Sequence, residues 1–294
     1  MTTITLRRRH VLQSLLMSPL LLLPRRTGAA AETERPGHLA AIEARTGGRL
    51  GVAVLDSTTG RVTGYRSDEQ FPMCSTFKLL AAACVLARVD RNEERLERRV
   101  TFTEHDLVTY SPATKDRAGD EGMTIAEICE AAVTLSDNTA ANLMLATFGG
   151  PDGLTRYARS LGDNVTRLDR IETALNEAIP GDPRDTTTPA AMAADARATV
   201  LGDALSPASR DQLAAWLVSN KTGDKRLRAG FPREWRVGDK TGTGNNGATG
   251  DVAIVWPPGR PPLVVAAYLV APQGSADSRN EVFAEVARVV TGGI

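Results

Sequence analysis

The sequence predicts an α+β fold with two lobes. One is an α/β sandwich whose antiparallel sheet is flanked by helices, and the other is an all-α lobe inserted within it. Three observations lead there. Strand-like runs occupy both ends of the chain, at 50–55 and 61–65 and again at 236–241, 252–256 and 263–270. Helical patterns fill the interval between them, and one more, at 277–290, closes the chain. The expected division is 32–66 plus 220–294 for the α/β lobe and 67–219 for the helical lobe, with a site where they meet.

The first helix is expected over 36–46, where Leu39, Ile42 and nearby alanines share a face. Two apolar runs then surround Asp56-Ser57-Thr58-Thr59-Gly60, a turn-rich connection typical of paired strands. The clearest helices that follow are 75–89, 125–135 and 139–148, the last stopped by Gly149-Gly150-Pro151. Further helical patterns cover 153–161, 189–200 and 207–219. Pro257-Pro258-Gly259 separates the last two strands.

The 294 residues suffice for one large core or two modest ones, and basic and acidic residues balance at 35 each. Residues 1–31 hold five arginines and no acid, so the remainder is mildly acidic and offers nothing that points to nucleic acid. Arg7-Arg8-Arg9, an apolar stretch through Leu23 and then Ala29-Ala30-Ala31 read as an export signal. The stretch is too short to span a bilayer and is interrupted by Ser14, Ser18 and Pro19, so no stable membrane anchor is expected. Arg8-Arg9-His10-Val11-Leu12 resembles a twin-arginine signal. Cys74, Cys84 and Cys129 allow at most one internal disulfide, and Cys84 and Cys129 read as small apolar filler.

Chemistry concentrates in three short motifs. Ser75-Thr76-Phe77-Lys78 places an amine one helical turn from a hydroxyl, an activated nucleophile without histidine. Ser136-Asp137-Asn138 and Lys240-Thr241-Gly242 follow at long range. Singly, each has an ordinary reading: a helix start, a capping turn, a strand end. Lys221-Thr222-Gly223 duplicates the third motif, but it follows a helical run and reads as a helix stop, whereas Lys240-Thr241-Gly242 ends an extended run.

In this order and spacing, together with Arg170-Ile171-Glu172-Thr173-Ala174-Leu175-Asn176, the motifs resemble the class A serine β-lactamases over essentially the whole mature chain. The resemblance implies the fold shared with penicillin-binding proteins. It also implies hydrolysis of the β-lactam amide of penicillins and cephalosporins through a serine acyl-enzyme, without cofactor or metal, in an exported monomer whose partner is its small-molecule substrate. Ser75 would be the nucleophile, with the N–H groups of Ser75 and Thr243 as oxyanion hole. Lys78 would assist directly or electrostatically. Glu172 and Asn176, four apart, would hold the deacylating water within an Ω-loop at 170–185, and whether Glu172 or Lys78 serves as acylation base stays open. Ser136 would relay a proton to the lactam nitrogen with Lys240 beside it, and Asn138 would bind the substrate's side-chain amide.

By the same resemblance Thr241, Gly242 and Thr243 line the carboxylate end of the site. The arginine that many members carry on the next strand is Thr249 here, and Arg226 matches an alternative carboxylate-binding arginine; Asn280 stands where some members have another. Arg170 and Asp185 match a pair bridging the base of the Ω-loop, and Tyr110 an aromatic wall. Cys74 matches one half of a disulfide found in a carbapenem-hydrolysing branch, but its partner position is Gly244, which disfavours carbapenem turnover. A penicillin-binding D,D-peptidase shares the nucleophile and the lysine–threonine–glycine strand, and is separated from this reading by Glu172 and Asn176. A noncatalytic β-lactam sensor would carry a membrane segment or partner domain. A zinc β-lactamase would need a histidine and cysteine ligand set that is missing from the sequence.

Overall fold

The computed structural model describes residues 1–2 and 28–292; the body of the expected export signal, 3–27, lies outside the described residues. Five antiparallel strands form the main sheet: β1 (Arg49–Asp56), β2 (Val62–Tyr65), β7 (Arg236–Thr243), β8 (Ala248–Trp256) and β9 (Leu263–Val270), in the order β2-β1-β9-β8-β7. The first strand of the chain thus pairs with the last, Val52 opposite Ala267. Two small ladders, β3 (Phe71–Pro72) with β6 (Thr186–Thr187) and β4 (Arg99–Val100) with β5 (Met123–Thr124), tie loops of the helical lobe together.

The near-continuous apolar runs of β1 and β9 follow from burial on both faces. Val52, Val54, Val265, Ala267 and Leu269 point into a core with α1 (Gly28–Thr46), through Leu39 and Ile42, and α9 (Ala276–Gly292), through Phe283, Val286 and Val290. The alternate residues Ala53, Leu55, Val264, Ala266 and Tyr268 point into the larger core of the helical lobe. That lobe is built from α2 (Phe77–Asp90), α3 (Ile125–Thr134), α4 (Asn138–Ala146), α5 (Gly150–Ser160), α6 (Pro189–Val200) and α7 (Pro207–Val218). A short helix, α8 (Leu227–Gly230), leads back to the sheet. Eleven consecutive residues of α2, Phe77 to Ala87, are buried, so this helix is apolar all round because helices surround it.

Several boundaries depart from the sequence expectation. The first helix begins before Pro36, which lies inside it. The expected helix over 75–89 is a 3₁₀ turn, Cys74–Thr76, followed by α2, so Ser75 sits just before the α-helix. Gly149-Gly150-Pro151 both stops and starts a helix: Gly149 takes φ 91°, and Pro151 opens the first turn of α5 with its φ already suitable. Gly223 does not stop a helix, since α7 ends at Val218. Its lack of a side chain serves a close approach instead, because a Cβ there would lie 1.8 Å from Asp239 Oδ2. The α8 turn was not anticipated; four residues are too few for a periodic signal.

Two carboxyl groups meet at α6, the helix of the helical lobe that packs on β1 and β9. Asp163 is capped by the Val165 and Thr166 N–H groups at 2.6 and 3.0 Å and is hydrogen-bonded to the carboxyl of Asp195 on α6. Asp195 is buried, and its Oδ2 meets no donor among the described residues. Burial first, and then Asp163, push its carboxyl up to about 9.

Candidate active site

The site lies between the 3₁₀ turn of Ser75, the α3–α4 turn, the 170–185 loop and the end of β7. It opens as a cleft of about 340 Å³ lined by Ser75, Tyr110, Ser136, Asn138, Asn176, Thr222, Arg226, Thr241, Gly242 and Thr243. Gly242 lets β7 approach the Ser75 turn, since a Cβ there would sit 2.7 Å from Met73 O and 3.2 Å from Ser75 N.

Around Ser75 the hydrogen bonds converge on Glu172. Ser75 Oγ donates to Glu172 Oε1 at 3.1 Å, and Asn176 Nδ2 donates to Oε2 at 2.5 Å. Lys78 Nζ has three acceptors: Glu172 Oε1 at 2.9 Å, Asn138 Oδ1 at 2.7 Å and Ser136 O at 2.9 Å. Three acceptors match the three protons of an ammonium, so Lys78 is arranged as a donor. Burial lowers its pKa, and the Glu172 charge opposes that shift. The expected Lys78–Ser75 contact is therefore replaced by a shared partner: amine and hydroxyl both address Glu172. Glu172 itself precedes the 3₁₀ turn Ala174–Glu177 rather than sharing a helical turn with Asn176, and the two side chains meet directly.

The second wall is fixed by Asp137, which caps α4 through Ala140 N at 2.8 Å and receives Ala113 N and Thr114 N at 2.9 and 3.0 Å. These bonds stitch the loop of Tyr110 to the turn of Ser136. Tyr110 is 57% exposed at the rim. Asn138 spans the gap, receiving Lys78 on its oxygen and donating to Thr109 O at 2.8 Å. Lys240, fully buried, donates to Ser136 Oγ at 3.1 Å. Burial and then the neighbouring Lys78 charge hold its pKa well below the ordinary lysine value.

Arg226 is buried behind Thr243. It donates to Gly242 O at 2.8 Å, Gly250 O at 2.7 Å, Thr243 Oγ1 at 2.7 Å and Asn280 Oδ1 at 3.0 Å, which leaves one N–H beside the cleft without a partner among the described residues. Asn280 thus orients Arg226 rather than standing in for a missing cation. Arg170 bridges Asp185 at 2.6 Å, and Asp185 also receives the Asp169 and Arg170 N–H groups at 2.8 and 3.0 Å. Together these contacts close the base of the loop bearing Glu172.

Two residues at the site escaped the sequence reading. Asn142 grips the Glu172 backbone, accepting its N–H and donating to its carbonyl, both at 2.9 Å. Its position four residues after Asn138, on the same helix face, was an available signal. Thr222, in the duplicate motif set aside as a helix stop, lines the cleft beside Thr241. Cys74, Cys84 and Cys129 are free and buried, and Cys74 Sγ lies where a Gly244 Cβ would meet it at 2.7 Å. Among the described residues, no helix is long and apolar enough to cross a membrane, and no cluster of three or more His, Cys, Asp or Glu side chains is placed to hold a metal ion.

The family model described as the beta-lactamase enzyme family matches residues 37–293. Beta-lactamase OXY-1 of Klebsiella oxytoca is 47% identical over 287 residues, covering 98% of each chain. Beta-lactamase CTX-M-8 of Citrobacter amalonaticus is 49% identical over 255 residues, covering 87% of each. Among solved structures, a putative class A beta-lactamase, PenP, of Rhodopseudomonas palustris superposes with a TM-score of 0.87 at 62% identity, covering 88% of this chain and 99% of its own. An ancestral class A beta-lactamase gives 0.86 at 66% identity, covering 88% and 99%. With the family matched over nearly the whole described chain, this protein belongs to the class A serine β-lactamases, hydrolases of the β-lactam amide bond.

Proposed function

We propose that the enzyme hydrolyses penicillins and cephalosporins with Glu172 as the base of both half-reactions. In acylation, Ser75 Oγ attacks the lactam carbonyl while its proton passes to Glu172 Oε1. The Ser75 and Thr243 N–H groups receive the oxyanion. As the C–N bond breaks, the lactam nitrogen takes its proton from Ser136, the Ser136 hydroxyl is replenished from the Lys78 ammonium, and Lys78 takes back a proton from Glu172, which returns to the carboxylate. In deacylation, Glu172 and Asn176 hold a water, Glu172 removes its proton, the hydroxide attacks the ester carbonyl, and Glu172 returns the proton to Ser75 Oγ as the ester C–O bond breaks. Lys78 stabilises the charge on Glu172. Thr241, Thr243 and Arg226 bind the substrate carboxylate, Asn138 its side-chain amide, and Tyr110 its apolar body.

The observation that carries this reading is the placement of one carboxylate within hydrogen-bond reach of the nucleophile, the lysine and the amide of Asn176. Its test is Glu172→Ala with a penicillin. Turnover should fall at least ~100-fold, the usual worth of general-base catalysis, and any acyl adduct that forms should persist in intact-protein mass spectrometry. Parental turnover would remove the role.

The reading further takes 32–66 with 220–294 and 67–219 as the two lobes, with the 170–185 Ω-loop as one wall of the cleft. It also takes export by the twin-arginine route, from Arg8-Arg9, and a monomeric enzyme. An arginine pair changed to lysine that left export unaltered would remove the route, and gel filtration at a dimer's size would remove the monomer.

A further inference from the structure

The hydrogen bonds around Thr222 run in only one direction. Asn220 is buried; its amide nitrogen donates to Asp239 Oδ2 at 2.8 Å and its oxygen accepts the Thr222 backbone N–H at 3.0 Å. An amide oxygen and nitrogen cannot be exchanged here, because an NH₂ group cannot receive a backbone N–H. The far end is anchored, since Arg228 Nε donates to the other oxygen of Asp239 at 3.1 Å. The Thr222 hydroxyl lies 2.8 Å from the same Asn220 oxygen, which only accepts, so its single proton points there. Thr222 Oγ1 and Thr241 Oγ1 are 2.5 Å apart. With the Thr222 proton committed, the proton between them belongs to Thr241. Thr241 therefore turns its only side-chain donor away from the cleft and presents lone pairs to it.

We propose that Thr222 is a positioning residue that sets affinity for the substrate carboxylate by holding the Thr241 proton. The proposal rests on Thr241 being a carboxylate ligand. When the carboxylate arrives, the Thr241 hydroxyl rotates toward it, and the Thr222 hydroxyl rotates from Asn220 to Thr241. Asn220 keeps the Thr222 backbone N–H throughout. The number of hydrogen bonds within the pair does not rise by the full new contact, because one is given up at Asn220. Valine at 222 keeps the shape but removes the competing acceptor, so the Thr241 proton is free before substrate binds.

Steady-state kinetics of Thr222→Val, Thr222→Ser, Thr241→Val and the Thr222→Val/Thr241→Val pair test this, using a penicillin and its carboxylate methyl ester. Thr222→Val should lower KM for the penicillin about two- to tenfold, the range of one net hydrogen bond, while kcat changes little and KM for the ester stays put. Thr222→Ser should restore the parental KM. Thr241→Val should raise KM, and the double variant should match it, because Thr222 acts only through Thr241. An unchanged KM in Thr222→Val, or an effect that persists on the ester, overturns the proposal. A raised KM in Thr222→Val, additive with Thr241→Val, makes Thr222 a direct ligand and overturns it while leaving the Thr241 role intact. An unchanged KM in Thr241→Val removes that role and the proposal with it.

Discussion

Asp195→Asn is expected to stabilise the enzyme by an amount that grows with pH. The parent carboxyl is buried against Asp163, with Arg159 the cation nearby and the phenols of Tyr157 and Tyr268 facing the same region. It is pushed from 3.8 to about 9, so the folded protein keeps this proton across the neutral range while the unfolded chain loses it near pH 4. Between those limits the folded state binds one proton more. Stability is therefore highest below the unfolded value and falls as pH rises through the folded one, by about 1.4 kcal/mol per pH unit. At Asp163, burial is outweighed by the Thr166 and Val165 hydrogen bonds, and the pKa lies below its ordinary 3.8, so its contribution is complete before pH 6. Asparagine keeps the shape, can donate to Asp163 and has no proton to lose. From pH 6 to 8 the gap between variant and parent should widen by up to about 2.7 kcal/mol, or roughly 5–10 °C in Tm for a chain of this size. Thermal unfolding at pH 6, 7 and 8 measures it. Parallel Tm curves for the two proteins would refute the shared-proton argument, even if the variant were uniformly more stable.

Three further outcomes are expected. Ser75→Ala should abolish turnover and covalent labelling by a penicillin while Tm stays within a few degrees; an acyl adduct on that variant in intact-protein mass spectrometry would unseat Ser75. Arg226→Ala should raise KM for penicillins more than it lowers kcat, because a carboxylate is bound in both ground and transition states; unchanged KM would assign that charge to Lys240. An aromatic disulfide reagent should find no fast thiol in the native protein and three after denaturation without reductant, since Cys74, Cys84 and Cys129 are buried and burial pushes Cys74 and Cys84 up to about 12; a single thiol on denaturation would reveal a disulfide.

The strands were legible because their neighbours on both faces are apolar: 263–270 could be delimited to the residue, and so could 189–200, where Thr188 caps and Pro189 opens the helix. The Ser75 turn, the serine–aspartate–asparagine turn and the Glu172 loop, which the fold brings together, stood out because each places particular residue types at short spacing. What escaped depends on long-range approach. Nothing local in Lys221-Thr222-Gly223 reveals that Gly223 makes room for Asp239, sixteen residues on, or that this brings Thr222 to the cleft. Asp163 and Asp195 each look like solvated surface acids in sequence, and only the packing of α6 against the 163–166 turn makes them neighbours. The Lys78–Ser75 spacing puts the two on neighbouring turns but does not reveal their shared partner, Glu172, which comes from ninety-four residues beyond Lys78.

The pairing of β1 with β9 bears on how the molecule is made. Arg49 faces Val270 across the sheet, so the first strand to leave the ribosome waits for the last before it has its central neighbour. Meanwhile β1 has only β2, a hairpin of marginal stability by itself. Lys240 and Thr241 on β7 connect to that hairpin solely through β8 and β9, so a chain cut short before 263 holds every proposed catalytic residue yet lacks the strand that joins them into one sheet. Synthesis of this enzyme is thus all or nothing: partial chains carry the chemistry in sequence but have no scaffold on which to express it.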